Sequence, residues 1–459
     1  MRPTTWRRST HALIAVAVLV LVAAVVAVSA MVTGGGSPDA AAIKPPPPAA
    51  TANPGIVPVS DSAPKPTRDR LAAALAPVLA DPNLGKFTGR ITDAITGAEL
   101  WSQGADVPMQ PASTNKMLTA AAALLTLDRD ARLTTRVFST DRPGVVVLKG
   151  GGDQTLSAAK PGDATWYRDA ARISDLAEQV EEAGIHATAV QVDVSEYSGP
   201  TMAHGWDPAD IDGGDIAPME SVMLDGGRTQ PVSVDSTRSK TPALDAGRAL
   251  AVALGVDPAK VTVVPGAARG GHEIGSVQSP PLIDRLRDMM NFSDNVMAES
   301  IGREVAAKLG LPQSFAGAVQ AVLRQLEAAE IDTANARLFD SSGLSVDDRL
   351  TADTLDEVVN AAAGNDQPKL RPLVELLPIA GGSGTLSNRY LHIDAHRPSA
   401  GFLRAKTGSL TGTNSLAGIV TDSSGRVLTF AFISNDAGPT GLIALDNFAA
   451  VLRTCGCSA

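Results

Sequence analysis

Three short strings in this chain carry residue types suited to nucleophilic chemistry: Ser113-Thr-Asn-Lys116, Ser293-Asp294-Asn295 and Lys406-Thr407-Gly408. A serine hydroxyl at its ordinary pKa is a poor nucleophile and needs an adjacent base. Lys116 can be that base only when neutral. Burial disfavours an ammonium, and a second cation nearby, Lys406, pushes in the same direction. Three residues make almost one helical turn, so Ser113 and Lys116 fall on one side of a helix within contact range. Ser293 would pass a proton toward a leaving amine, and Asn295 would hold an amide of the substrate. Backbone amides around Lys406, Thr407 and Gly408, with the Thr407 and Ser409 hydroxyls, offer donors to a carboxylate. The backbone N–H groups of Ser113 and Ser409 suit an oxyanion hole, a feature worth about 10²–10³-fold per donor.

Each string alone recurs by chance, so the flanking elements decide. Ser157-Ala-Ala-Lys160 repeats the first spacing but runs into Pro161-Gly162, where no helix continues. After Ser113, by contrast, Lys116-Met-Leu-Thr-Ala-Ala-Ala-Ala-Leu-Leu predicts a helix. Helices are expected over Leu282–Asn291 and Val296–Leu309, with Ser293-Asp294 at their junction, where helix capping is the plain explanation. Leu403–Gly408, Ser415–Thr421 and Val427–Ser434 read as strands, and Thr440–Arg453 as a closing helix. Near the start, a helix from about Arg68 precedes a hairpin of Thr88–Asp93 and Ala98–Gln103. Between these blocks, Leu133–Ser139 and Val145–Lys149 read as strands, then Asp169–Gly184 as a helix and Thr188–Val194 as a strand.

The 459-residue chain has a net charge of −10 and no Lys/Arg run beyond its first eight residues, so a nucleic-acid partner is not expected. Aromatic residues make up only 3%, so the core must rely on Ala, Val and Leu. Arg2, Arg7 and Arg8 precede an uncharged stretch of twenty-one residues from Ala12 to Val32, long enough to span a bilayer as a helix. The arginines would stay cytoplasmic, which places the rest of the chain on the outer face of the membrane. The stretch reads as an uncleaved anchor, with Val28-Ser29-Ala30 as a cleavage site in the alternative. Residues 34–67, with Pro45-Pro46-Pro47-Pro48, read as a spacer. Cys455 and Cys457 read as part of a frayed tail, because a bridge across one residue would be strained.

The ordered triple of motifs resembles the penicillin-binding protein and serine β-lactamase superfamily. Ser293 lies 180 positions after Ser113, a gap similar to that of the class C low-molecular-mass penicillin-binding proteins. These are D-alanyl-D-alanine carboxypeptidases and endopeptidases with extra domains in that gap. Gly150-Gly-Gly-Asp-Gln-Thr-Leu156, Phe339-Asp-Ser-Ser-Gly-Leu344, Leu377-Pro-Ile-Ala-Gly-Gly-Ser-Gly-Thr-Leu386 and Arg404-Ala-Lys-Thr-Gly-Ser-Leu410 carry the same likeness. It implies an α/β transpeptidase-like fold built from segments 68–140 and 280–459, with one or two inserted domains over 141–279. It also implies acyl transfer from a stem peptide ending in D-Ala-D-Ala through Ser113, Lys116, Ser293 and Lys406, and inhibition by β-lactams. Val346 stands where the family often carries an arginine, which leaves the preferred stem side chain open. Trp206, Asp207 and Asp210 are read as belonging to an exposed acidic loop rather than to the pocket.

Other chemistries fit less well. His392 and His396 flank Asp394, but Pro398 argues for a loop and no third ligand is evident, so no metal or cofactor is expected. No Gly-x-Ser-x-Gly elbow supports a histidine triad. A β-lactamase would need a deacylating base, and Glu357-Val-Val-Asn360 is one residue short of the Glu-x-x-Leu-Asn spacing. A non-catalytic penicillin-binding scaffold would tolerate loss of Lys116 or Ser293, and both are present.

Overall fold

The computed structural model describes residues 62–455 and 457. Its strands are β1 (Lys86–Asp93), β2 (Glu99–Gln103), β3 (Thr134–Ser139), β4 (Val145–Lys149) and β5 (Ala189–Asp193). They continue with β6 (Thr262–Val263), β7 (His272–Gln278), β8 (Leu403–Leu410), β9 (Thr413–Thr421) and β10 (Val427–Asn435). Two five-stranded sheets result, with orders β2-β1-β10-β9-β8 and β6-β5-β4-β3-β7.

The first sheet is antiparallel throughout. Its central strand β10 is buried on both faces, which explains the continuous Leu-Thr-Phe-Ala-Phe-Ile run. Successive side chains alternate between two cores. Leu428, Phe430 and Phe432 meet Leu71 and Leu75 of the Arg68–Leu79 helix and Leu445, Phe448 and Leu452 of the Gly441–Thr454 helix. Ala431 and Ile433 face the opposite layer, where Leu355 and Val358 of the Ala352–Ala363 helix pack with the Lys116–Thr126 helix. Nine residues of that last helix are buried, and its four consecutive alanines suit the centre of a helical layer. Helices on both faces of an antiparallel sheet are the expected transpeptidase-like arrangement.

The second sheet is mixed. β4 and β5 run parallel, joined through the Ile173–Glu182 helix, whereas β3 is antiparallel to β4 and β7. A boundary at 140/141 therefore cuts through this sheet, because β3 lies before it and β7 closes the far edge. Strand pairing is non-local, so no composition change marks that point. The segment between the motifs also reaches back to the first sheet's layers. Trp206, Ile211 and Ile216 pack with Val296, Phe315 and Leu344, and Ser300 Oγ donates to the Gly152 carbonyl at 2.7 Å.

The carboxyl end differs from the sequence expectation of a frayed tail. Cys455 and Cys457 are joined, with Cα atoms 5.0 Å apart. Cys457 is buried, and its carbonyl accepts from the Thr67 N–H at 2.9 Å. Among the described residues no helix is long and apolar enough to cross a membrane, and the 12–32 stretch lies outside them.

Candidate active site

The three motifs converge on a cleft of about 780 Å³, lined by Ser113, Ser293, Asn295, Thr407 and Ser409 among others. Ser113 sits in a short 3-10 turn, Ala112–Asn115, which leads into the Lys116–Thr126 helix. The turn is entered through Ala112 at φ 49°, a left-handed conformation costly for a residue with a Cβ. Such strain persists where surrounding contacts over-determine it. Here Ser415 Oγ donates to the Pro111 carbonyl at 2.6 Å and Thr114 Oγ1 to the same carbonyl at 2.7 Å.

Lys116 is fully buried, and its Nζ donates to Ser113 Oγ at 3.0 Å, Asn295 Oδ1 at 2.6 Å and the Ser342 carbonyl at 2.8 Å. Burial pushes its pKa down to about 8, against the pull of Asp340, Asp294, Glu299 and Asp215. Lys406, equally buried, donates to Ser293 Oγ at 3.0 Å and to the Thr407 carbonyl at 2.8 Å. Its pKa lies well below the usual lysine range, through burial first and then the like charges of Lys116 and Arg389. The repulsion between the two lysines thus bears on Lys406. At Lys116, where the sequence placed it, burial is the leading cause.

Ser293 ends the Leu282–Phe292 helix at φ 56°, and Asp294 caps the Asn295–Lys308 helix by accepting from Met297 N–H at 3.1 Å. Capping is therefore the role of Asp294, and the break it enforces turns Ser293 and Asn295 into the cleft. Asn295 Nδ2 donates to the Asp215 carbonyl at 3.0 Å, so its amide is oriented from both ends. On β8, a Cβ at Gly408 would sit 2.1 Å from Ser415 Oγ, 2.8 Å from the Pro111 carbonyl oxygen and 3.0 Å from Ser113 N. The glycine lets β8, the sheet's edge strand, lie against the nucleophile's turn. Thr407 Oγ1 shares a 2.8 Å hydrogen bond with Thr385 Oγ1.

Several supporting residues carried no chemical signal in the sequence. Asp340 Oδ1 accepts from Ser342 and Gly343 N–H at 3.0 and 2.6 Å, and its Oδ2 from Ser345 N–H and Trp206 Nε1, both at 2.7 Å. That carboxylate shapes the turn whose Ser342 carbonyl holds Lys116. Asp207 does sit on a loop, but Asp210 lies in the short Ala209–Gly213 helix, and both form part of the cleft wall, together with Asp215. The decoy serine is elsewhere: Ser157 is buried and donates to Asp225 Oδ2 at 3.1 Å, with Lys160 exposed. His396 is buried against Asn447 Oδ1 at 2.5 Å, whereas His392 is exposed.

A family model described as D-Ala-D-Ala carboxypeptidase 3 (S13) matches residues 71–238 and 231–452. The chain belongs to this S13 family. Membership makes it a hydrolase of the D-Ala-D-Ala carboxypeptidase class and places it among the low-molecular-mass class C penicillin-binding proteins. A second model, the N-terminal domain of Rv3627c-like carboxypeptidases, matches residues 1–58. Carboxypeptidase DacB of Mycolicibacterium smegmatis is 72% identical over 100% of both chains. A carboxypeptidase of Mycobacterium tuberculosis is 61% identical, again over 100% of both. The fold matches penicillin-binding protein 4 of Haemophilus influenzae with a TM-score of 0.68, at 23% identity, over 84% of this chain and 98% of that one. A β-lactam complex of that protein matches at 0.61, with 21% identity, over 83% and 99%.

Proposed function

We propose that this S13 enzyme releases the terminal D-alanine of peptidoglycan stem peptides through an acyl-enzyme on Ser113, on the outer face of the cytoplasmic membrane. The observation that carries the mechanism is the buried Lys116 Nζ, 3.0 Å from Ser113 Oγ, with a pKa pushed down to about 8. Neutral Lys116 takes the Ser113 proton as Oγ attacks the penultimate D-Ala carbonyl carbon. The backbone N–H groups of Ser113 and Ser409 stabilise the oxyanion. As the C–N bond breaks, Ser293 gives its proton to the departing nitrogen and is replenished with the proton that Lys116 took from Ser113, so Lys116 is neutral again when water attacks. Thr407 and Ser409 receive the terminal carboxylate, Gly408 gives it access, and Asn295 holds the acyl-side amide. Water then attacks the ester, leaving the shortened peptide as a carboxylate and restoring Ser113.

β-Lactams acylate the same serine, but their leaving nitrogen stays tethered by the ring and obstructs water. The two sheets with their separate cores support a discontinuous catalytic part and an inserted sheet, with β3 of the first segment joining the inserted sheet. The Arg2–Val32 leader supports export and membrane attachment.

The test pairs two measurements on the full chain. A D-Ala-D-Ala peptide should release D-alanine repeatedly, and a labelled penicillin should attach at Ser113 and persist for minutes. Rapid hydrolysis of a chromogenic cephalosporin with no D-alanine released would favour a β-lactamase instead, and an adduct on Ser157 would displace the nucleophile.

A further inference from the structure

Besides the nucleophile, Lys116 Nζ has two acceptors, the Ser342 carbonyl at 2.8 Å and Asn295 Oδ1 at 2.6 Å. Both are tied to residues 204–215, which come from the stretch between the first two motifs. The Asp215 carbonyl accepts from Asn295 Nδ2 at 3.0 Å. The His204 carbonyl accepts from Ser345 Oγ at 2.8 Å, and Trp206 Nε1 donates to Asp340 Oδ2 at 2.7 Å. Gly205, Asp207, Asp210 and Asp215 of this stretch line the cleft. Trp206 is buried instead, and its ring meets Phe315 edge-on with centres 5.1 Å apart.

Asp340 stands under two opposed demands. Its carboxylate builds the turn behind Lys116 by accepting from the N–H groups of Ser342, Gly343 and Ser345. Its backbone carbonyl accepts from Asn115 Nδ2 at 3.1 Å, next to the base in sequence. Yet its charge favours the Lys116 ammonium more strongly than that of Asp294, Glu299 or Asp215 does, whereas a base must be neutral. In a low-dielectric interior, the hydrogen bonds that spread a buried charge decide how hard it pulls on its neighbours. Glu299 and Asp348 face the same carboxylate, and burial first, then its charge, pushes both upward. The Arg303 guanidinium is taken up by Glu299 at 3.3 Å. Three of the donors to Asp340 are thus backbone groups of its own turn, and the fourth is the indole of Trp206.

We propose that Trp206 is a positioning residue for the general base. Its N–H, reaching in from the stretch between the motifs, spreads the Asp340 charge, so that one carboxylate builds the Ser342 turn and still leaves Lys116 free to accept the Ser113 proton. This rests on the acyl-enzyme reading above.

The test follows acylation of the full chain by a labelled penicillin from about pH 6 to 9.5, at several penicillin concentrations so that binding and acylation separate. Trp206→Phe keeps a ring on Phe315 and deletes the donor, while the three backbone N–H groups still hold the turn. Its acylation midpoint should rise by about 0.5–1 pH unit. The rate at pH 7 should then fall about 3- to 10-fold and return to within about twofold of wild type at the alkaline end, with the half-saturating penicillin concentration unchanged. Asp340→Asn removes the charge itself, so its midpoint should fall below the wild-type value. Adding Trp206→Phe to that variant should shift nothing further, because the indole acts through the charge.

Should Asp340→Asn fail to fold, the pH dependence and the binding–acylation split of Trp206→Phe decide alone. A Trp206→Phe variant slowed equally at every pH, or weakened only in penicillin binding, marks a packing role and sinks the proposal. So does a midpoint that moves down, or one that moves by the same amount with and without the Asp340 charge. Those outcomes leave the acyl-enzyme reading standing. A wild type that carries no penicillin on Ser113 would overturn that reading, and the proposal with it.

Discussion

At the scale of single residues, the two lysines divide the work unequally. Lys116 is the one bonded to the nucleophile, and four acids keep it from dropping as far as burial alone would take it. Its base form grows as pH rises through about 8. Acylation of Ser113, read as kcat/KM or as penicillin labelling, should therefore climb roughly tenfold per unit below that value and level off above it. Lys116→Arg should lower acylation by about 10²–10⁴-fold at every pH, because a guanidinium does not deprotonate in a protein. A pH profile flat between 6 and 9, or an arginine variant labelling at near wild-type rate, would remove the lysine from the base role. The lysine–serine pair was legible because its geometry is fixed by three residues of local chain. The acids that tune it were not, since Asp340 and Glu299 reach Lys116 only through the tertiary fold.

At the scale of elements, the close approach of β8 to the Ser113 turn depends on Gly408. Gly408→Ala would drive a methyl into Ser415 Oγ and the Pro111 carbonyl oxygen. We expect more than a tenfold loss of penicillin acylation with a stability cost of about 1–3 kcal/mol, checked by labelling rates and thermal melts. The Asn295–Lys308 helix supplies a second test through Glu299, whose Oε1 accepts from Ser341 N–H at 2.9 Å. Burial, and then the charge of Asp340, push its pKa up to about 7 against the pull of Arg303. Its protonated form favours the fold, so this stability is full below the ordinary glutamate pKa and lost as pH rises toward 7. Glu299→Gln should therefore show a shallower fall in Tm between pH 5 and 7.5 than the wild type. An equal or steeper fall would contradict the assignment. Helices and strands near the motifs were readable from their periodicity and caps. The membership of β3 in the second sheet, the wall formed by Asp207 and Asp210, and the anchoring of the Cys455–Cys457 tail on Thr67 all depend on long-range contacts, which local pattern does not encode.

At the scale of the whole molecule, the decisive question is on which side of the membrane the cleft works. The described fold begins close to Thr67, whose N–H is taken up by the Cys457 carbonyl. Everything that could direct the chain outward lies before it: three arginines, twenty-one uncharged residues and a proline-rich spacer. Moving the long apolar stretch into a bilayer while keeping the arginines in the cytoplasm leaves residue 68 and beyond outside. Polymerised peptidoglycan lies on that side, so the proposed topology and the proposed substrate support each other. A reporter enzyme active only outside the cytoplasm, fused after residue 67, should be active in cells. Replacing Arg2, Arg7 and Arg8 with glutamate in the same fusion should reduce that activity, because the retained positive charge sets the orientation. Membrane fractionation of the full chain then distinguishes an anchor from a cleaved signal: an anchored chain stays with the membrane at its full length, and a processed one starts near Met31. A reporter active only when fused for the cytoplasmic side would overturn the topology, and with it the cell-wall substrate.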